Sequence, residues 1–335
     1  MGILKNSEFG RSICLLVLLS FFAFNNPALS NCKDIVVAVV DTGLDTNSNV
    51  ILQNKTGLFT NLIEKNGKAG VDDDNNGYID DVHGWNFKTN TANFADKNGH
   101  GTHISNIILE NSKSLSASCN KIKILPLKFL DADGSDQDTL RTYLQAIRYA
   151  VKMNADIINY SGGGDIYNTF ENEIFSEAEK KGILLVTASG NLSRNIDQRG
   201  FYPASYSLKN IISVANLTAA GSLHHTSNWG ANSVDIAAPG DRIIASSIAA
   251  RKIELTGTSQ SAAFVSALAA ELKRKNMKLS SQKIKEIILS SSKKVAKLST
   301  KLKSSGTLNR AAALQKVKAV HIQTKRFSRS KKNRS

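Results

Sequence analysis

The sequence predicts an α/β fold of three layers, in which helices cover both faces of a mostly parallel central sheet. Apolar, β-branched runs of strand length alternate along the chain with segments of helical spacing. The predicted strands are Ile35–Val40, Ile122–Leu130, Asp156–Tyr160, Ile183–Ala188, Ile211–Ala215 and Val234–Ala237. Strands that are buried on both faces and separated by helices are typical of a parallel sheet.

Helical spacing fills the gaps between these strands and continues after the last of them. Thr139–Met153 and Phe170–Lys181 show apolar positions along one face. Ala262–Leu272 is alanine-rich and apolar nearly all round, which predicts a buried helix. Two further helical patterns, Ser281–Ser290 and Leu308–Val320, close the domain. We therefore expect one domain over residues 31–320.

The first 30 residues have the pattern of a secretory signal peptide. Lys5 and Arg11 precede an apolar run, Ile13–Phe24, and a short segment ending in small residues follows up to Ser30. Spanning a bilayer takes about 20 residues, so the run is short for a membrane anchor, which stays the alternative. We expect cleavage near Ser30 and a protein that is secreted, to the periplasm or the extracellular space.

Charge is distributed unevenly along the 335 residues, whose formal net charge is +15. Residues 31–272 carry a net charge of −5, whereas residues 273–335 carry +19. Such a basic segment attracts anionic surfaces, and we expect weak contact of this kind through the C-terminus. A solvated helix face followed by a disordered tail, residues 321–335, is the simpler interpretation. We expect a monomer without a specific nucleic-acid partner.

Three short motifs supply a carboxylate, an imidazole and a hydroxyl, in that order. Asp41-Thr42-Gly43 follows the first predicted strand, at the edge of the sheet where active sites of such folds lie. His100 lies in Gly99-His100-Gly101-Thr102-His103, at the start of a helical pattern, and Ser259 opens the buried helix. Taken singly, each has a structural explanation; a serine at a helix start, for example, is often an N-cap.

Together the three residue types match the needs of nucleophilic catalysis. A serine hydroxyl attacks well only when a base takes its proton, and a neutral imidazole does this near pH 7. A carboxylate fixes the tautomer of the imidazole and stabilises its charged form. The motifs and their order resemble those of the subtilisin-like serine peptidases, the subtilases. The resemblance implies a secreted endopeptidase that hydrolyses protein or peptide substrates through an acyl-enzyme, with Asp41, His100 and Ser259 as the catalytic triad.

The resemblance also implies two binding segments. Ser189-Gly190-Asn191 resembles the oxyanion segment of the family, in which the Asn191 amide would act with the backbone N–H of Ser259. Ser161-Gly162-Gly163-Gly164 resembles the edge segment that pairs with substrate, where glycine allows close approach of another backbone. We expect the substrate-binding residues to be Ser161, Gly162, Gly163, Ala188, Ser189 and Gly190.

An acidic loop between the first two motifs predicts a structural calcium ion. Oxygen-bearing side chains recur at alternating positions before Gly77, as at the start of known calcium loops. The expected ligands are Asp72, Asp74, Asn76, the Tyr78 carbonyl, and Asp80 or Asp81. An acidic surface turn without metal is the alternative.

Two cysteines remain after the predicted cleavage, Cys32 and Cys119, since Cys14 lies within the signal. In the subtilase sheet the strands that follow them are parallel neighbours. The resemblance therefore implies a disulfide bond between Cys32 and Cys119. Lipid attachment at Cys32 is a second interpretation, because Leu29-Ser30-Asn31-Cys32 faintly resembles a lipobox.

The serine motif usually continues Met-Ala-x-Pro in the family, whereas this sequence reads Gln260-Ser261-Ala262-Ala263. Gln260 stands where methionine is usual, and Ala263 replaces a proline that commonly starts the helix. This departure keeps open a second function class, a catalytically silent binding module with the subtilase fold.

Overall fold

The fold was analysed in a computed structural model that describes residues 32–48, 57–112, 120–131 and 139–317. The described residues from Lys33 onward lie in one compact unit. The predicted signal peptide and the basic tail, residues 321–335, lie outside the described residues. Among the residues that are described, no helix combines the length and apolar character that crossing a bilayer requires.

A nine-stranded sheet forms the centre of the molecule. Its strands are β1 (Ile35–Asp41), β2 (Trp85–Asn86), β3 (Ile122–Lys128), β4 (Ile157–Tyr160), β5 (Leu184–Ala188), β6 (Ile211–Leu217), β7 (Ile236–Pro239), β10 (Lys293–Lys294) and β11 (Gly306–Thr307). The order is β10-β11-β7-β6-β5-β4-β1-β3-β2, and every pairing is parallel except β10 with β11. A separate antiparallel hairpin consists of β8 (Ile243–Ser246) and β9 (Lys252–Leu255).

Helices cover both faces of this sheet. They are α1 (Leu62–Asn66), α2 (His100–Asn111), α3 (Thr139–Lys152), α4 (Thr169–Lys180), α5 (Thr258–Lys275), α6 (Ser281–Ser290) and α7 (310–317). One apolar cluster joins alternate residues of β1, such as Val37 and Val39, to α2 and α5. The other joins Ala38 and Val40 to α3 and α4. Because successive side chains of β1 point to opposite faces of the sheet, the strand contributes to both cores, as expected for a strand buried on both faces.

The three-layer α/β architecture predicted from the sequence is confirmed. The predicted strands and helices within the described residues are all present, with ends displaced by a few residues. The largest displacements are at α5, which extends from Thr258 to Lys275, and at β7, which begins two residues after Val234. Parallel order brings the carboxyl ends of β1, β4 and β5 to one edge of the sheet.

Candidate active site

Asp41 and His100 contact each other at this edge. Asp41 is the last residue of β1 and is 3% exposed, while His100 is the first residue of α2. Nδ1 of His100 lies 2.8 Å from Oδ1 and 3.0 Å from Oδ2 of Asp41. The contact leaves Nε2 of the imidazole available for a second partner.

A second carboxylate, Asp96, holds the two segments together, and the sequence analysis missed it. Asp96 is buried and accepts hydrogen bonds from the Thr42 hydroxyl, from the backbone N–H of Gly99, and from both the N–H and the hydroxyl of Thr102. The Thr42 hydroxyl in turn accepts from the N–H of Gly101. The signal in the sequence is an aspartate four residues before His100, followed by Asn98-Gly99.

Charge around the imidazole favours its protonated form. Burial lowers the pKa of His100, but the charge of Asp41 and its hydrogen bond raise the pKa further than burial lowers it. The net result is a pKa above the ordinary value of 6.5. Burial also raises the pKa of Asp96, yet its backbone and hydroxyl donors outweigh burial and lower that pKa, so Asp96 is a fixed negative charge.

His103, one turn further along α2, lies in a different environment. It is fully buried, and its Nε2 lies 3.2 Å from the carbonyl oxygen of Ile243. Burial lowers its pKa. His103 is therefore a neutral core residue and not a partner of Asp41.

Ser259 lies in the first turn of α5 and is 8% exposed. Its Oγ donates to the carbonyl oxygen of Ser161 at 3.1 Å. Ser161 also lines the cavity of about 280 Å³ whose lining includes Asp41 and His100, so Ser259 contacts a residue of that lining. The hydroxyl proton points to Ser161 in this structure, whereas the triad would direct it to His100.

Asn191 follows β5 and lies beside the start of α5. Its Oδ1 accepts from the N–H of Thr258 at 3.0 Å and from the Thr258 hydroxyl at 3.1 Å. This fixes the orientation of the amide, and among the described residues Nδ2 has no partner. A Cβ atom at Gly257 would lie 3.4 Å from Nδ2, so glycine keeps this side of the amide open.

The predicted substrate segment follows β4 and borders a second cavity, of about 360 Å³. This cavity is lined by Ser161–Gly164, Ala188, Gly190 and Asn191 among other residues. Gly163 packs so closely that a Cβ atom would lie 2.4 Å from the Phe201 ring. Ser189 does not line the cavity, because it is fully buried and its Oγ donates to the carbonyl of Asn228. Ser189 belongs to the predicted substrate-binding segment, and its role there stays a prediction.

The acidic loop brings together two of the predicted ligands, Asp74 and Asp81, and a third carboxylate, that of Glu64. Oxygens of Glu64, Asp74 and Asp81 lie within 4.8 Å of one another. Glu64, on α1, is buried and had not been predicted; its oxygens accept from the backbone N–H groups of Asp73, Asp74 and Asp80.

The other predicted ligands form contacts within the same part of the fold, and their role as ligands stays a prediction. Asp72 accepts from the N–H groups of Asn76 and Gly77, and Asp80 accepts from the N–H of Gly70. The Asn76 amide nitrogen donates to Asp74 and to Asp81. The Tyr78 ring packs edge-on against Tyr149 and Trp85.

Carboxylate oxygens at this spacing suit Ca²⁺, which takes six to eight oxygen ligands. Burial raises the pKa of the Asp81 carboxyl. The residues present therefore fit a calcium ion, with Glu64, Asp74 and Asp81 as the nearest oxygen donors.

Cys119 lies outside the described residues, so the disulfide with Cys32 stays a prediction.

Fold and site together define an α/β protein with an Asp–His pair at the carboxyl edge of its sheet and a serine at a neighbouring helix start. Residues 32–313 match the family model Peptidase S8, the subtilase family, and the chain belongs to this family. It is 31% identical over 274 residues to subtilisin-like protease 1 of Plasmodium falciparum (isolate 3D7), covering 75% of this chain and 39% of that protein. Thermitase of Thermoactinomyces vulgaris is 32% identical over 194 residues, covering 57% of this chain and 67% of thermitase.

Solved structures agree on the fold. A lanthipeptide protease superposes with a TM-score of 0.66 at 20% identity, covering 84% of this chain and 88% of that one. A cold-adapted subtilisin-like serine proteinase superposes with a TM-score of 0.62 at 22% identity, covering 83% and 89%. The chain spans 39% of the length of the Plasmodium falciparum relative.

Proposed function

We propose that this protein is a serine endopeptidase in which Ser259 is the nucleophile, His100 the general base and then acid, and Asp41 the residue that orients the imidazole. The observation that carries the proposal is the contact of Nδ1 of His100 with both oxygens of Asp41, at 2.8 and 3.0 Å. It holds Nδ1 protonated, so Nε2 is the basic nitrogen that can accept the Ser259 proton.

The reaction then runs in two halves. The Ser259 oxygen attacks the peptide carbonyl while Nε2 of His100 takes the hydroxyl proton, and the imidazolium gives that proton to the leaving amine. Water attacks the resulting ester in the same way, releasing the acid and restoring Ser259. We propose that Nδ2 of Asn191 and the backbone N–H of Ser259 hold the oxyanion, since the amide is already oriented by Thr258.

Substrate would bind in extended form along Ser161–Gly164. One edge of this segment is occupied, because Gly164 and Tyr202 exchange two backbone hydrogen bonds at 2.9 and 2.7 Å. The segment is nevertheless open to the two cavities described above, one beside His100 and one beside Asn191. A peptide that crosses Ser161 would therefore present its carbonyl between the proposed base and the proposed oxyanion donor.

Labelling with a fluorophosphonate probe tests this proposal. Such probes bond covalently to activated serines, so we expect labelling of the full chain, loss of labelling in Ser259→Ala, and normal labelling in Ser222→Ala, an exposed control. Folded protein that stays unlabelled would contradict the proposal.

One observation favours the second candidate, a catalytically silent binding module. The Ser259 hydroxyl donates to Ser161, not to His100, and Gln260 is buried beside it. In unliganded enzymes, however, catalytic hydrogen bonds are often long or misdirected until substrate binds. A silent module would bind peptides without cleaving them, which mass spectrometry of a mixed peptide substrate would distinguish.

Four further properties are proposals. The chain is exported after cleavage near Ser30; a disulfide joins Cys32 to Cys119; the protein is monomeric; and the basic C-terminus contacts anionic surfaces weakly.

A calcium ion bound by Glu64, Asp74 and Asp81 would neutralise three neighbouring carboxylates and thereby hold α1 against the acidic loop. Its contribution is structural, because none of these residues lines the cavity beside His100.

A further inference from the structure

A polar cavity of about 470 Å³ lies at the opposite edge of the sheet from Asp41. Its lining includes Ile211, the first residue of β6, and Asp235, which directly precedes β7. Because β6 and β7 run parallel to β1, their amino ends lie on the edge away from the carboxyl end that holds Asp41. The cavity also shares no lining residue with the cavity beside His100.

Three lysines and a single carboxylate line this cavity: Lys209, Lys285, Lys303 and Asp235. The Asp235 carboxylate is buried, and its Oδ2 accepts from the N–H of Ser213 at 3.0 Å and from Nζ of Lys285 at 3.1 Å. Lys285 is also bonded to the carbonyl of Ile211. Lys285 and Lys303 share the single charge of Asp235, so the lining carries two positive charges in excess.

The second oxygen of Asp235 forms an ion pair with Lys303 but no hydrogen bond with any described residue. Oδ1 is buried and has no hydrogen-bond partner among the described residues; Nζ of Lys303 lies 3.4 Å away, long for such a bond. Two other carboxylates nearby, Asp197 and Glu179, lie outside the lining and accept backbone N–H groups. The cavity therefore offers two ammonium groups and one buried acceptor that lacks a donor.

We propose that this cavity binds a phosphate group that carries one proton, as inorganic phosphate or as a phosphate monoester. The ammonium groups of Lys209 and Lys303 would bind its charged oxygens, and its P–OH would donate to Oδ1 of Asp235. The hydroxyl of Ser205, which accepts from the N–H of Phe201, has its own proton free to add a further bond. Sulfate has no proton near pH 7, so its oxygens would repel Asp235 and it would bind poorly.

Calorimetric titration of the full chain at constant ionic strength tests the site, with inorganic phosphate and sulfate as the two probes. We expect saturable phosphate binding, and sulfate binding at least tenfold weaker. Lys303→Met and Lys209→Met should each weaken phosphate binding about tenfold, because each removes a charge-assisted hydrogen bond. The control Lys278→Met, an exposed lysine outside the lining, should bind like the parent.

Thermal unfolding provides a second readout, since a ligand of the native state raises its stability. Phosphate should raise the melting temperature of the parent and of Lys278→Met more than that of Lys303→Met. Lys303 is half-exposed, so the variant should fold normally. Absence of saturable phosphate binding, or equal binding in all variants, would overturn the site; equal affinity for sulfate would overturn the role of Asp235. Phosphoserine and phosphatidic acid vesicles, used as competitors, distinguish a soluble monoester from a lipid headgroup.

Discussion

The hydroxyl of Thr42 donates to Oδ1 of Asp96 at 2.9 Å and accepts from the N–H of Gly101 at the same distance. Thr42 follows Asp41 in the chain, and Gly101 follows His100. The Thr42 side chain therefore links the end of β1 to the start of α2, and its hydrogen bond to Asp96 fixes the position of its hydroxyl. The Asp41–His100 distance depends on this link as well as on the direct contact.

Replacing Thr42 by valine should lower kcat about tenfold with little change in KM. Valine keeps the volume of threonine but leaves the Gly101 N–H without its acceptor and removes one of three donors to Oδ1 of Asp96, which should also lower the free energy of unfolding by about 1–3 kcal/mol. Steady-state kinetics and urea denaturation measure the two effects, with the exposed Thr300→Val as the control. Unchanged kcat in a destabilised protein would mean that Thr42 supports the fold alone.

Activity should depend on pH through His100. Its pKa lies above 6.5, because the charge and hydrogen bond of Asp41 outweigh burial, and catalysis requires the neutral imidazole. We expect kcat/KM to fall as pH decreases, with a midpoint above 6.5. The imidazolium contributes stability that is fully present below pH 6.5 and is lost as pH rises through the folded pKa.

The variant Asp41→Asn tests whether Asp41 causes the raised pKa of His100. Without this carboxylate, burial still lowers the pKa of the imidazole and only the charge of Asp96 raises it, so the midpoint should move to lower pH. Turnover should fall by roughly 10⁴-fold, because the amide no longer enforces the correct tautomer. A midpoint that stays in place would exclude Asp41 as the cause of the raised pKa.

The sequence predicted the fold well because parallel strands are apolar runs with clear ends, as in Ile211–Leu217. It also predicted the Asp41–His100 pair, because the motifs that contain them and their order resemble those of the subtilases. It missed Glu64 and Asp96, whose roles depend on backbone N–H groups that only folding brings close. The β8–β9 hairpin was missed for a related reason: its strands are short and half-exposed, so their apolar pattern is weak.

Asn191→Ala should lower kcat by roughly 10²- to 10³-fold, which is the loss that follows removal of one oxyanion donor in subtilisin, a member of this family. KM should change little, because the donor acts on the transition state. The substitution also removes the acceptor of the Thr258 N–H, so unfolding must be measured alongside. Asn191→Asp keeps that acceptor but loses the donor; it should be as inactive as Asn191→Ala, and normal activity in it would contradict the assignment.

Calcium should stabilise the protein, and EDTA should lower its melting temperature. When the free calcium concentration is about 100 times the dissociation constant, binding raises the free energy of unfolding by about 2.7 kcal/mol. Glu64→Gln should abolish this response, because it removes one of three carboxylates that lie within 4.8 Å. Asp80→Asn should respond to calcium like the parent, since Asp80 lies outside that group and bonds the Gly70 N–H. The opposite pattern would be a response that is lost in Asp80→Asn and kept in Glu64→Gln. It would favour the ligands expected from the sequence, which include Asp80, over the group that contains Glu64.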